Sequence, residues 1–147
     1  MITWREAVRA DVPDLMALLE DGWIGLTTMP DLAAMQVAFD AMQAAGNTRA
    51  YVGEQAGEIV ATYQLSILTG FSLTAPTRAM IEAVRVRGDL RGQGIGAALM
   101  EDAEARAQAA GAAMMQLTSN ASRKDAHRFY QQLGYVQSHA GFKKALG

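Results

Sequence analysis

The sequence predicts a single α/β domain spanning 1–147, with helices flanking a mixed, mostly antiparallel sheet that contains one central parallel pair. Three observations carry that expectation. The alternating runs 49–54 and 58–63, joined by Gln55-Ala56-Gly57, read as two antiparallel strands and a tight hairpin turn. The stretch Arg91-Gly92-Gln93-Gly94-Ile95-Gly96 stands between a strand-like run and a long amphipathic pattern, and a second apolar run follows. Strand, tight turn, helix, strand is a βαβ crossover, whose two strands should be parallel. Finally, 147 residues, 50% of them hydrophobic, suffice for one sizeable core but not for two.

In chain order, 3–8 reads as a short strand, and Asp11-Val12-Pro13-Asp14 as a helix start with an acidic cap and a proline in the first turn. Leu15, Leu18 and Leu19 give that helix its apolar face. Periodicity breaks over 21–30, where Trp23, Ile24 and Leu26 stay apolar among glycines and threonines; such a loop could pack on the core or cover a site. Helical character resumes over 31–45 and ends at Gly46-Asn47. The second hairpin strand runs on to about residue 69, a loop with Pro76 follows, and 78–87 is the next strand. Within it, period two puts Glu82, Val84 and Val86 on one face.

Beyond the glycine stretch, Ile95, Leu99, Ala103, Ala107 and Ala110 form an apolar stripe, with Glu101, Glu104 and Gln108 opposite. Arg106 interrupts the stripe and should lay its stem along the edge. Gly111 stops this helix, and 112–118 is a compact apolar run suited to a buried strand. Ser122-Arg123-Lys124-Asp125 reads as a capping box opening a last helix, in which Ala126, Phe129, Tyr130 and Leu133 recur at helical spacing before Gly134. Residues 135–137 and 141–146 read as two short closing strands.

Composition removes several classes of function. A formal charge of −2, with both signs mixed along the chain, offers no basic face, so no nucleic-acid partner is expected. The absence of cysteine excludes disulfides, thiolate metal sites and a cysteine nucleophile. The two histidines, His127 and His139, lack the company of other metal ligands. Met1 leads into Ile2-Thr3-Trp4-Arg5-Glu6 without a basic then apolar leader, and no apolar run is long enough to span a bilayer, so a cytoplasmic setting without a membrane partner is expected.

The glycine stretch is the strongest pointer to chemistry. Glycines let the backbone approach a ligand closely and adopt conformations closed to other residues, so successive N–H groups can converge on an anion. The helix that follows adds its dipole and its unpaired N–H donors. Arg91 adds a fixed positive fork beside them. A turn that merely caps a helix looks alike. A dinucleotide-binding loop starting at Gly92 is a further alternative, loosely met by Ala97, but the acidic residue expected after the next strand is replaced by Thr118-Ser119-Asn120.

Two blocks together resemble the GNAT superfamily of N-acetyltransferases. Arg91-Gly92-Gln93-Gly94-Ile95-Gly96 matches the family's Arg/Gln-x-x-Gly-x-Gly/Ala pyrophosphate loop. Leu117-Thr118-Ser119-Asn120, then Arg123, Ala126-His127-Arg128-Phe129-Tyr130 and Leu133-Gly134-Tyr135, is similar to its end-of-strand asparagine and its Ala-x-x-Phe-Tyr helix. The specific likeness runs from about residue 82 to 144. It implies a sheet splayed at its central parallel pair around acetyl-CoA, and acetyl transfer to the amine of a small molecule without metal or covalent enzyme intermediate. Homodimers are common in the family, and the closing strands would permit one.

The resemblance also assigns roles. Arg91, Gly92, Gln93, Gly94, Ile95 and Gly96 would hold the pyrophosphate of acetyl-CoA, and backbone donors of Val84, Arg85 and Val86 the thioester end, at a bulge the sequence cannot show. Glu82 would be the base, directly or through water, since a carboxylate among Ile81, Ala83 and Val84 could have a raised pKa; an ion pair with Arg78 or Arg85 is the structural alternative. Tyr130 would be the acid that protonates the departing thiolate, or else a core aromatic. Asn120 would bond the pantetheine amides, or simply end its strand. Arg123 and His127 lie one turn apart and could face cofactor or solvent, with solvent or a structural hydrogen bond expected for His127. A non-catalytic acetyl-CoA sensor is the alternative function, which the presence of both Glu82 and Tyr130 disfavours.

Overall fold

The computed structural model describes residues 1–21, 28–72, 74 and 76–147, which fall into two units, Met1–Gln116 and Leu117–Gly147. In the first unit, β1 (Thr3–Glu6) leads through a short 3-10 turn to α1 (Val12–Glu20) and then α2 (Leu32–Ala45). The hairpin follows as β2 (Thr48–Gln55) and β3 (Glu58–Thr69), then β4 (Thr77–Val86), α3 (Ile95–Ala109) and β5 (Met115–Gln116). The strands lie side by side in sequence order. Pairing is antiparallel from β1 to β4 and parallel between β4 and β5, the mixed sheet that the sequence predicts, although in the described sheet the parallel pair lies at the edge and not at the centre.

Local chemistry explains the elements. The hairpin turns through Ala56 and Gly57, both at positive φ (52° and 80°), the combination whose twist matches that of the flanking strands. Asp31 caps α2 by accepting from the Ala34 N–H at 2.8 Å. Asp11 stands just before α1 as expected, but its carboxylate does not cap that helix. It reaches back instead to the Val8 N–H at 2.8 Å and to the Arg5 guanidinium at 2.7 and 2.9 Å. Gly53 makes room for Trp4 across the ladder, since a Cβ there would lie 2.6 Å from the indole ring. Of the loop 21–30, residues 22–27, with Trp23, Ile24 and Leu26, lie outside those described.

Directly opposed residues of an antiparallel ladder point to the same face. Val52 and Thr62 therefore share one face, and Tyr51 and Tyr63 the other. The α1–α2 pair covers the first: Val52 joins Ala7, Val12, Leu15 and Phe39 in one buried cluster. The second is covered by α3, which buries Ile95, Leu99, Met100, Ala103 and Ala107; Ala110, expected in the stripe, is exposed. Each fully buried large side chain contributes about 1.5–3 kcal/mol, so this stripe is what seats α3. Arg106, half-buried, turns its guanidinium over the Tyr51 ring at 4.4 Å. No helix among the described residues is long and apolar enough to cross a membrane.

Two expectations fail near the chain's end. The run 112–118 gives a strand of only two residues, β5, half-buried rather than buried. Its bonds begin at Ala113, whose N–H reaches the Thr77 carbonyl, and the ladder stops at Gln116. The second unit holds one helix, α4 (Lys124–Gln132), and no strand; 135–137 and 141–146 are irregular, and within that unit neither has a ladder partner for its backbone groups. The capping box also fails. Arg123, not Ser122, precedes the helix, and the Ser122 hydroxyl is bonded at 2.7 Å to Asn120 Oδ1.

Candidate functional site

From β4 the chain passes through a 3-10 turn, Gly88–Leu90, into the glycine stretch. Gly92 and Gly94 both adopt left-handed backbone, φ 79° and 82°, where a side chain would be strained. Yet a Cβ built on either meets nothing within 4 Å, so the loop opens onto space. Gly94 caps α3, and its carbonyl accepts the helix's opening bond from the Ala98 N–H at 3.1 Å. The N–H groups of 95–97 precede that bond and have no acceptor within the helix. With the helix dipole behind them, they suit an anion such as a phosphate group.

Arg91 has a partner that the sequence did not announce. Its Nη2 lies 3.3 Å from Asp21 Oδ2, with both side chains more than half exposed (57% and 55%). A pair this exposed is worth at most about 1 kcal/mol.

The bulge that the resemblance implied is present in β4. Glu82 stands opposite Gln64 and Arg85 opposite Thr62, so Ala83 and Val84 together face Tyr63 alone. Ala83 sits at φ 52°, the left-handed conformation that one kind of bulge uses at its extra residue. One added residue reverses the alternation beyond it. Glu82 and Arg85 now share the face of Gln64 and Thr62, whereas Val86, opposite Ala61, lies on the other. The period-two expectation that grouped Glu82 with Val86 therefore fails at the bulge.

Glu82 is exposed and accepts from Gln64 Nε2 at 2.8 Å, so the expected enclosure among Ile81, Ala83 and Val84 is not formed. Arg85 turns its Nη1 back to the Val84 carbonyl at 2.9 Å. The ladder between β4 and β5 covers only Ala79 and Met80, and within this unit 81–86 is laddered to β3 alone. The Arg87 N–H bonds the Val60 carbonyl of β3 at 2.8 Å. Since N–H directions alternate along a strand, that of Val86 points to the opposite, unladdered edge.

In the second unit, Asn120 organises the turn before α4. Its Oδ1 accepts from the Ser122 N–H at 2.9 Å, and its carbonyl accepts from the Arg123 N–H at 3.0 Å and from His127 Nε2 at 2.9 Å. His127 thus makes the structural hydrogen bond expected of it. Tyr130 is half-buried on α4, edge-on to Phe129 at 5.2 Å and to Tyr135 at 6.0 Å. A cavity of about 500 Å³ lies in the first unit between α1 and the hairpin, lined by Arg5, Asp11, Asp14, Asp21, Glu54 and Arg87 among others. None of the residues predicted for the site lines it.

The model of the acetyltransferase (GNAT) family matches residues 12–135. The aminoalkylphosphonate N-acetyltransferase of Salmonella typhimurium is 48% identical over 66 residues, which span 45% of this chain and 43% of that enzyme. Among solved structures, a transcriptional regulator from Bacillus halodurans C-125 is 33% identical, with a TM-score of 0.89 over 99% of this chain and 100% of that one. A protein provisionally assigned as an acetyltransferase from Agrobacterium tumefaciens strain C58 is 27% identical, with a TM-score of 0.86 over 98% and 99% of the two chains. With its glycine loop, its bulged strand and a family match over most of its length, the chain belongs to the acetyltransferase (GNAT) family.

Proposed function

We propose that this chain works as one domain that transfers an acetyl group from acetyl-CoA to the amine of a small molecule. One observation carries the reading: a glycine loop open at the N-terminus of α3 and a bulge in β4 stand in the same unit of a chain that matches the family. Acetyl-CoA, when bound, supplies a thioester whose carbonyl carbon is open to attack by an amine. Arg91 and the N–H groups of 93–96 would hold its pyrophosphate. The strand 84–86 would hold the other end, with the outward Val86 N–H available to the thioester oxygen. Asn120 would bond the pantetheine arm.

Glu82, directly or through a water, would take the proton from the attacking amine, and its exposure leaves it open to either route. Tyr130 would return a proton to the departing thiolate. A phenol near pKa 10 giving a proton to a thiolate near 8.5 is about 1.5 units uphill, roughly 2 kcal/mol, which neighbouring donors would have to offset. The Salmonella relative's name makes amines that bear a phosphonate the first acceptors to try. A homodimer in the cytoplasm completes the reading, on the strength of the family resemblance. The name of the Bacillus relative favours a second reading, a donor-binding regulator without turnover.

Tyr130→Phe tests the catalytic assignment. General acid catalysis is worth about 10²–10⁴-fold, so kcat should fall by that order with CoA affinity nearly intact. A core tyrosine would instead lose about 1 kcal/mol of stability and little turnover. Unchanged kcat with a responsive acceptor would reject the acid role.

A further inference from the structure

A ring of contacts outside the predicted site ties the sheet to α3. Tyr63 is 0% exposed and is the one residue that faces the bulge from β3. Its hydroxyl donates to Asp102 Oδ2 at 2.5 Å, and the same oxygen accepts from Arg106 Nε at 2.8 Å. Arg106 returns to the sheet, lying over the Tyr51 ring and donating from Nη2 to the Trp4 carbonyl at 3.4 Å. Tyr51 stacks on Tyr63 at 5.0 Å and closes the ring. Burial first, and then the Asp102 carboxylate, push the Tyr63 phenol well above its ordinary value of 10.0. It therefore remains a donor throughout the neutral range.

A charged network of this kind gains little over apolar packing of the same volume, so stability alone is a poor account of it. Its placement supplies a better one. Asp102 follows Ile95 by two helical turns, about 10 Å along the axis and on the same face of α3. One end of the linkage thus holds the bulge of β4, and the other holds the helix that presents the glycine loop. Both would have to grip a single donor molecule.

We propose that Tyr63, Asp102 and Arg106 are positioning residues for acetyl transfer, fixing the separation between the bulge at 83–84 and the loop at 91–96. This rests on the acetyl-transfer reading. The pyrophosphate would stay on the loop without them, while the thioester would lose its register against the bulge. A misplacement of about 1 Å at a reacting centre costs on the order of 10²-fold in rate.

Tyr63→Phe keeps the stacked ring and removes one oxygen. Expected is a fall in kcat of about tenfold or more, with the Kd for CoA changed by less than about twofold. Hydrogen exchange at 82–86 and 98–102 should be faster than in the wild type. Phe39→Leu, which loosens the cluster on the opposite face of the sheet, is the control: it should lower Tm but leave kcat and exchange at those segments unchanged. Should Tyr63→Phe fail to fold, Arg106→Lys, which keeps the charge but not the Nε bond, should give the same kcat loss. Wild-type kcat in the folded variant, with exchange no faster than in Phe39→Leu, would overturn the positioning role. A wild-type protein that transfers no acetyl group would instead overturn the reading beneath it.

Discussion

Asp11 is 7% exposed, and its carboxylate holds the Val8 N–H and both terminal nitrogens of Arg5. The bonds from Arg5, opposed by burial and aided by the Val8 N–H, hold its pKa below the ordinary value of 3.8. A depressed carboxyl stabilises the fold above its unfolded pKa, and that contribution is lost as pH falls through the lower, folded value. Asp11→Asn should therefore cost about 1–2 kcal/mol at pH 7, a figure kept low because the Arg5 side chain is 38% exposed. In urea melts the difference from wild type should hold above the ordinary carboxyl value of 3.8 and shrink as pH falls through the lower, folded value. A pH-independent difference would assign the loss to packing. The same residue shows the limit of the sequence: Asp11 was visible as a residue before a helix, but its true partners depend on where β1 places Arg5. Glu82 and Val86 likewise had to be misgrouped, because alternation is reliable only while the strand stays regular.

The bulge in β4 and the start of α3 are the elements on which the reading depends. Ala83 at φ 52° carries strain that glycine would not. Ala83→Gly should be neutral or stabilise by up to about 1 kcal/mol, the relief being partly offset by unfolded-chain entropy. Ala83→Val should destabilise by about 1–3 kcal/mol. In a regular strand the order would be reversed, valine being favoured and glycine penalised, so chemical denaturation of the two variants reports directly on the bulge. Nothing in Met80-Ile81-Glu82-Ala83-Val84-Arg85-Val86 announces an extra residue, since an alanine rather than a glycine occupies the left-handed position. The glycine loop was legible for the opposite reason: Gly92 and Gly94 are the residues that its backbone demands. For Arg106 the pattern shows a cation in an apolar stripe, but not the Tyr51 ring that the sheet brings beneath its guanidinium.

For the whole chain, the order of elements through α3 and the parallel pair could be read from pattern and punctuation. The closing strands could not. A strand exists only with its partner, and 135–137 and 141–146 carry a strand-like pattern without one in their own unit. The motifs that carried the family resemblance began at about residue 82, whereas the family match begins at residue 12, so the helices and hairpin before them follow the same plan without a short signature. Acetyl transfer from acetyl-CoA to a small amine frees the CoA thiol, so thiol release is the test of the proposed function. Purified protein should release thiol only when an amine is added, with aminoalkylphosphonates among the responsive acceptors in a panel that includes amino acids, polyamines and aminoglycosides. Thiol release that no amine in the panel stimulates would rule out the proposed transfer, and it would do so decisively if NAD rather than CoA raised the melting temperature of the same preparation.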